Sequence, residues 1–414
     1  MKIKVLTNDE FLGFSKRFKP SSMYQTVEYA LTMNNQNQNS MFIGLVDDNE
    51  LKAASLILIQ KINGFRYASA PRGFLIDYND TELLTNFTKL LKKFLGKKDI
   101  VAIKINPMII KTVYDPSGKS ILKNTRYDEI FSSMTKLGYF HLGYNNYFEA
   151  LKPRFEAIID LEKPTNQLFK EIDKGFQAKI RKAIKNGVKV YHGDVDDLEY
   201  LYSETKDKYP RDLNYFKDLY KYFDRSGNID FYYSKLDTTE YLKYTQTKYN
   251  EMHKLSFDLG KKLIGSSGKN PKIVNEKLQV DKEVSMYSKQ LAEATNLLRD
   301  YPDGILISSA LVIKWQDTVY LVINGYDEKY RKFSGNHLMI WKLLGRYSKL
   351  GYKYFNFGGV SNIKLENNKF KGLNDFKLNF NAHVTEYIGD FELITNRPLY
   401  FVYKNSFGIS DIFK

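Results

Sequence analysis

The chain has 414 residues, no cysteine, a formal net charge of +15 and 15% aromatic residues. The length predicts two or three domains with large cores, and the absence of cysteine excludes disulfides, zinc–thiolate sites and cysteine nucleophiles. The charge favours a polyanionic partner such as nucleic acid, a phosphorylated substrate or an anionic membrane face; the alternative is a lysine-rich proteome with A/T-rich codons.

The histidines are scattered and never take the His-x-x-x-His spacing typical of a metal site, so we expect neither a metal nor a cofactor. MKIKVLTNDEF at the N-terminus carries charges without a following apolar core, unlike a signal peptide. The longest apolar stretch, near Gly304 to Ile313, is too short to span a bilayer. The sequence predicts a cytoplasmic protein whose contact with a membrane is peripheral.

The first part of the chain mixes strand and helix patterns. MFIGLVDDNELKAASLILIQK (41–61) predicts a hairpin, and FRYASAPRGFLIDY (65–78) predicts a strand that ends in a loop. TELLTNFTKLLKKFLGKKD (81–99) has helical spacing with Thr81 as the expected N-cap, and VAIKINP (101–107) is a buried strand. This order is typical of a mixed α/β module.

A basic segment follows. FEAIIDLEK (155–163) predicts a strand, and NQLFKEIDKGFQAKIRKAIKNG (166–187) predicts one helix that ends at Gly187. Its positive side chains are Lys170, Lys174, Lys179, Arg181, Lys182 and Lys185. They indicate either a solvated helix face or a surface for a polyanion.

From residue 240 the apolar residues repeat at spacings of three and four, on both sides of the turn-like GSSGKNP (265–271). This pattern predicts an antiparallel helical hairpin whose arms extend roughly 30 Å. Such an arm either holds a long partner or packs on its own domain.

The last part repeats the order of the first. GILISSALVIKWQDTVYLVINGYD (304–327) predicts a hairpin, RKFSGNHLMIWKLLGRYSKLG (331–351) a helix, and YKYFNFGG (352–359) a strand. GLNDFKLNF (372–380) alternates like a strand, with Lys377 inside it. The two halves therefore look like duplicated copies of one fold.

This order is also found in acetyltransferase domains, which place an Arg/Gln-x-x-Gly-x-Gly/Ala loop at the helix start to cradle a pyrophosphate. Here the loop is RKFSGNHL, in which Gly335 remains and His337 replaces the second glycine. The fold therefore favours acyl transfer, while the loop argues against acetyl-CoA as the donor.

Several stretches carry a resemblance to a known family: QTVEY (25–29), YASAPRGFLID (67–77), KIRKAIKNGVKV (179–190), YKYFNFGGVSN (352–362) and GLNDFKLNFNAHVTEYIGDFEL (372–393). The chain resembles the Fem family of peptidoglycan-bridge aminoacyltransferases, in particular its FemA- and MurM-like members. The resemblance implies an α/β (α+β) fold of two acetyltransferase-like (GNAT-like) domains with an inserted antiparallel coiled-coil hairpin. We expect the first domain at 1–152 plus about 392–414, the second at 153–239 plus 304–391, and the hairpin at 240–303.

The resemblance also implies the reaction. Family members transfer an amino acid from aminoacyl-tRNA to the stem peptide of a cell-wall precursor, with no cofactor. The hairpin makes this chain more similar to the users of lipid II than to the users of a nucleotide-linked precursor. The amino acid (Gly, Ala or Ser), the linkage of the precursor and the oligomeric state stay open.

By the same resemblance, Phe376 and Lys377 match the Phe-Lys pair of the family. Lys377 would stabilise the negative charge that develops on the aminoacyl carbonyl, and a ribose hydroxyl would take the proton of the attacking amine. Without the resemblance, Lys377 reads as a strand lysine that reaches solvent.

Five further residues match sites that bind substrate in the family. Arg211 corresponds to an arginine that grips the phosphates of the precursor, and Tyr215 shares its face if the segment is helical. Arg72, Gly73 and Asp77 lie in a loop that resembles the edge of the acceptor site, with Asp77 as a partner for the acceptor amine. For all of them the alternative is an ordinary surface or turn role.

One departure concerns an early lysine with which the nucleotide-precursor members grip phosphate. LTMNNQNQNS (31–40), which follows QTVEYA, contains no lysine. Two other functions remain open: an acyl-CoA-dependent N-acyltransferase of the same fold, and a non-catalytic protein that binds nucleic acid or a membrane surface.

Overall fold

The computed structural model describes residues 1–207, 211–265 and 270–406. The elements up to residue 141 are β1 (Lys2–Val5), α1 (Asn8–Ser15), α2 (Val27–Asn35), β2 (Asn39–Asp47), β3 (Glu50–Ile62), β4 (Phe65–Pro71), α3 (Thr81–Gly96), β5 (Ile100–Asn106), β6 (Ile110–Tyr114), β7 (Ser120–Lys123), α4 (Tyr127–Lys136) and β8 (Tyr139–His141).

The chain continues with β9 (Phe155–Asp160), α5 (Thr165–Glu171), α6 (Lys174–Lys185), β10 (Val188–Gly193), α7 (Leu198–Thr205), α8 (Leu213–Asp224), β11 (Ile229–Leu236), α9 (Thr238–Gly265) and α10 (Pro271–Asp300). The last part comprises β12 (Ile305–Trp315), β13 (Thr318–Tyr326), a 3₁₀ helix (Glu328–Phe333), α11 (Gly335–Lys349), β14 (Tyr354–Val360), α12 (Lys371–Leu378), β15 (His383–Tyr387), β16 (Phe391–Ile394) and α13 (Arg397–Asn405).

The described strands form two mixed sheets. Seven strands pair in the order β1-β2-β3-β4-β5-β16-β8, and nine pair in the order β10-β11-β12-β13-β14-β9-β15-β6-β7. In each sheet an antiparallel hairpin is followed by a helix and by a strand parallel to the second hairpin strand: β3-β4-α3-β5 and β12-β13-α11-β14. The predicted repetition of one β-β-α-β unit is therefore present in the topology.

The predicted boundary at residue 152 does not separate the two sheets. Strands β6 and β7 lie before it, yet β6 pairs with β15 and both strands complete the nine-stranded sheet. Strand β8 returns to the first sheet, and so does β16, whose residues the prediction assigned to the first domain from about 392; β16 pairs with β5 and β8. The chain crosses between the sheets more often than the sequence indicated, because strand pairing is decided by partners far apart in sequence.

Helices α9 and α10 pack along each other as the predicted hairpin. Leu259 of α9 and Val280 of α10 are among its buried residues. Most of the turn GSSGKNP falls at residues 266–269, outside the described residues. In the described part of the chain, no helix is both long and apolar enough to cross a bilayer.

Three local predictions were wrong. The expected strand at 372–380 is the helix α12, in which the Asn374 side chain exchanges hydrogen bonds with the Ser361 backbone N–H and carbonyl, both 3.1 Å. The expected single basic helix is broken between α5 and α6, where Asp173 caps α6. The N-cap of α3 is Asp80, whose carboxylate accepts the Leu83 N–H, rather than Thr81.

Candidate active site

Lys377 lies in the last turn of α12, beside the end of β14. Its Nζ donates a hydrogen bond to the Gly359 carbonyl oxygen at 2.6 Å. The side chain is half-buried, and burial of the ammonium group lowers the pKa of Lys377 to about 8, a fall that the negative charge of Glu156 opposes. A shielded cation of this kind can stabilise developing negative charge more strongly than a solvated one.

The glycine pair of FNFGGVS explains how that carbonyl becomes available. The pairing of β14 with β9 is irregular between Asn356 and Gly359, and Gly358 takes a φ of +74°. A Cβ on Gly359 would lie 2.6 Å from Pro153 Cγ, so only glycine fits there without displacement. One extra residue of β14 bulges here before pairing with β9 resumes at Gly359 and Val360. The Gly359 carbonyl at the end of this bulge accepts the hydrogen bond from the Lys377 ammonium.

Phe376 anchors α12 from the other side. Its ring packs against His337, Phe176 and Phe380 at centroid distances of 5.4, 5.9 and 5.5 Å. These contacts hold in place the helix that carries Lys377. The structure therefore gives Phe376 a packing role next to the lysine.

Glu156 of β9 is the centre of a buried network. Its Oε1 accepts a hydrogen bond from Arg72 Nη2 at 2.6 Å, and its Oε2 accepts from Asn356 Nδ2 at 2.8 Å. The Arg72 guanidinium also donates to the Pro153 carbonyl at 2.7 Å and lies over the Tyr387 ring at 4.3 Å. Arg72 is only 2% exposed, so its guanidinium bonds to neighbouring residues of the site and does not face solvent.

Gly73 and Asp77 take no part in that network. A Cβ on Gly73 would lie 2.9 Å from Ser55 Oγ and 3.0 Å from Gln25 Nε2, which shows close packing against the first sheet. Asp77 is exposed, accepts the Asn79 N–H at 2.9 Å, and lines a cavity of about 760 Å³. Of the predicted residues, only Arg72 and Asp77 line this cavity.

Arg211 immediately precedes α8, and Asp212 caps that helix by accepting the Tyr215 N–H at 2.9 Å. The exposed Arg211 guanidinium lies 4.8 Å from the centre of the Tyr215 ring, and the Tyr215 side chain is buried. The predicted proximity of the two residues is present, although Arg211 itself is outside the helix.

A second cation next to Arg211 was not predicted from the sequence. The Lys152 ammonium lies 3.6 Å from the centre of the Tyr24 ring and 3.4 Å from the Tyr29 hydroxyl. The pKa of Lys152 falls to about 7, first because the ammonium is buried and then because Arg211 and Arg72 are positive neighbours. Among the described residues, neither Lys152 nor Arg211 forms an ion pair with a carboxylate, and the two basic groups are close enough for Arg211 to lower the pKa of Lys152.

The start of α11 differs from a coenzyme A cradle. Ser334 at the N-cap has a φ of +57° and its side chain makes no capping hydrogen bond. His337 occupies the position of the second glycine of such a cradle, and its ring packs against Phe176 and Phe376. That ring meets Phe176 edge-on at 4.5 Å, and burial lowers the pKa of His337 to about 4. Within the described residues, no group of three close metal-ligating side chains occurs.

Comparisons with known proteins identify the family of the chain. A family model described as the FemAB family matches residues 6–406. The chain belongs to the FemAB family. It is 29% identical to the aminoacyltransferase FemA of Staphylococcus epidermidis over 98% of both chains, and 25% identical to a lipid II:glycine glycyltransferase of Staphylococcus haemolyticus over 95% of this chain and 93% of that one.

Solved structures support the fold. The crystal structure of FemX superposes with a TM-score of 0.75 at 23% identity, covering 97% of this chain and 99% of that one. A tandem GNAT protein from clavulanic acid biosynthesis superposes with a TM-score of 0.50 at 8% identity, covering 95% and 98%. The tandem acetyltransferase-like fold of this FemAB member is thereby established.

Proposed function

We propose that the chain is an aminoacyltransferase that adds glycine, alanine or serine from aminoacyl-tRNA to the stem peptide of lipid II, forming the peptidoglycan bridge or branch. The observation that carries the chemistry is the shielded Lys377 ammonium, which donates to the Gly359 carbonyl oxygen at the bulge of β14 against β9. The names of the FemA and glycyltransferase relatives support the substrate class.

The reaction needs little from the protein beyond position and charge. The stem-peptide amine attacks the ester carbonyl, a new C–N bond forms, and the C–O bond to the terminal ribose breaks. Lys377 Nζ donates to the carbonyl oxygen as it becomes an oxyanion, in the direction that the Gly359 carbonyl now occupies. The proton of the amine leaves with the ribose oxygen, so no side chain is required as a base.

Lys152 and Arg211 supply the acceptor side of the site in this proposal. Two close cations without a carboxylate partner are suited to a pyrophosphate, which carries at least two negative charges. In this proposal Lys152 provides a cation for the phosphates of the precursor, which the lysine-free segment 31–40 does not supply.

Loss of either cation is expected to weaken acceptor binding. Lys152→Met and Arg211→Ala should each raise the Kd for lipid II about 10–100-fold, because each removes a charged hydrogen-bond donor. Affinity should also fall as the pH rises above about 7, where Lys152 of the free protein loses its charge. Calorimetry with a short-chain lipid II measures both effects.

Arg225→Ala is the matched control, because Arg225 lies at the other end of α8, also over a tyrosine ring, at 5.2 Å from Tyr222. The affinity of Arg225→Ala for lipid II should equal that of the unaltered protein. Unchanged affinity for lipid II in both Lys152→Met and Arg211→Ala would show that its pyrophosphate does not bind at these two residues.

The donor is tested by a panel of labelled substrates. We expect label from glycyl-, alanyl- or seryl-tRNA on lipid II. We expect no transfer from acetyl-CoA, because His337 replaces the second glycine of the loop that would cradle its pyrophosphate. The basic helix α6, together with Lys170 of α5, and the α9–α10 hairpin are the surfaces offered to tRNA, although the charges of the hairpin nearly balance. Transfer from acetyl-CoA alone would replace this proposal with the acyl-CoA enzyme.

A further inference from the structure

The outer edge of the nine-stranded sheet carries an exposed apolar pair. Strand β7 is the last strand of that sheet, and its Ile121 and Leu122 are 59% and 52% exposed. Lys119 and Lys123 flank them, both exposed, and in the described part of the chain neither ammonium is in an ion pair. Because consecutive residues of a strand project from opposite faces of the sheet, the pair exposes aliphatic surface on both faces of this edge, with a lysine at either end.

This edge adjoins the cavity that Arg72 and Asp77 line. Leu122 and Lys123 line the cavity of about 760 Å³ together with Asp77 and Lys19. Whatever covers the β7 edge therefore lies beside an opening large enough for part of a substrate.

A second copy of the chain fits the edge poorly. Strand addition requires a free row of backbone groups, and β7 offers only four residues. Lys123 is the last of them, and Lys119 directly precedes the strand. Lysine on a short edge strand is a common protection against such pairing. An anionic lipid surface fits better, because aliphatic side chains can enter the headgroup region while the flanking cations contact lipid phosphates.

We propose that the β7 edge is the surface through which the chain contacts an anionic bilayer, with Ile121 and Leu122 entering the headgroup layer and Lys119 and Lys123 contacting phosphates. The inference rests on the proposed function in one respect, since a lipid-linked acceptor is what brings the chain to a bilayer. It places the cavity at the membrane surface.

Sedimentation with vesicles tests the surface without any substrate. The full chain should bind vesicles that contain phosphatidylglycerol and phosphatidylcholine. It should bind far more weakly to vesicles of phosphatidylcholine alone. The variant Lys119→Ser/Ile121→Asp lowers the local charge by two, and each charge near an anionic surface changes binding about fivefold, so binding should weaken about 25-fold. Neither residue lines the cavity, and the Asp115 turn is retained because it uses the backbone N–H of Lys119.

Lys262→Ser/Ile264→Asp is the matched control, because it makes the same two changes at the same spacing on α9, where Ile264 is 83% exposed. Its vesicle binding should stay close to that of the unaltered chain. Equal losses in both variants, or no loss in the β7 variant, would overturn the proposal. A change of oligomeric state in the β7 variant without a change in vesicle binding would assign the edge to a second copy instead.

Activity separates this inference from the proposed function. The β7 variant should lose transfer to lipid II in vesicles while keeping transfer to a water-soluble short-chain acceptor. Transfer by the unaltered chain without β7-dependent vesicle binding would refute the surface and leave the function. β7-dependent vesicle binding by a chain that transfers nothing would refute the function and leave the surface.

Discussion

Lys377→Ala is expected to lower the single-turnover rate of aminoacyl transfer about 10²–10³-fold, the typical loss when one oxyanion donor is removed. The affinity for lipid II should remain nearly unchanged, because Lys152 and Arg211 bind the acceptor in this proposal. Rapid mixing of preformed protein–lipid II complex with charged tRNA measures the rate, and calorimetry measures the affinity.

The matched control is Lys371→Ala, because Lys371 lies in the same helix but is exposed and paired with Asp375 at 2.6 Å. It should transfer at the unaltered rate. If Lys377→Ala transfers as fast as Lys371→Ala, Lys377 has no role in the chemistry.

The pKa of Lys377 also predicts a pH dependence. The oxyanion is stabilised only by the protonated amine, so the rate at saturating lipid II should fall as the pH rises above about 8. Lys377→Arg keeps its charge at every accessible pH, so any activity it retains should lack this fall. A fall at the same pH in Lys377→Arg would assign the titration to another group.

Glu156→Gln is expected to lower the free energy of unfolding by about 3 kcal/mol or more, because it leaves the Arg72 charge buried without its partner. The carboxylate is only 6% exposed, and the amide cannot neutralise a guanidinium that water does not reach. The same variant removes the negative charge that raises the pKa of Lys377, so the alkaline fall in rate should begin at a lower pH. Urea denaturation and the pH–rate profile measure the two effects.

The control is Glu129→Gln, which breaks an ion pair of similar geometry between Arg126 and Glu129, at 2.8 Å on the surface. Its stability should match that of the unaltered chain, because exposed pairs contribute little. Equal stability of Glu156→Gln and Glu129→Gln would show that the buried pair does not support the site.

Elements governed by local signals could be predicted from the sequence. The hairpins β2–β3 and β12–β13 are marked by apolar runs around polar turns, and the α9–α10 pair by its spacing of threes and fours. The segment 372–380 failed because Phe376, Leu378 and Phe380 fit both a strand and a helix. The helix is stabilised by bonds from Asn374 to Ser361, which no local pattern encodes.

The site itself depends on partners far apart in sequence. Arg72 and Glu156 are separated by 84 positions, and Lys152 meets Tyr29 across 123. No spacing rule relates such residues, so the sequence predicted Arg72 at the edge of an acceptor site without its partner Glu156, and it gave no signal for Lys152. Lys377, Arg211 and Tyr215 were predicted only because whole stretches resemble a family.

Tandem mass spectrometry of lipid II after incubation with the chain and charged tRNA tests the central claim most directly. The account predicts one added residue of glycine, alanine or serine, in amide linkage to an amine of the stem peptide. The product should require intact tRNA, form with Lys371→Ala, and be nearly absent with Lys377→Ala. Unmodified lipid II with every charged tRNA, from folded protein, would contradict the account.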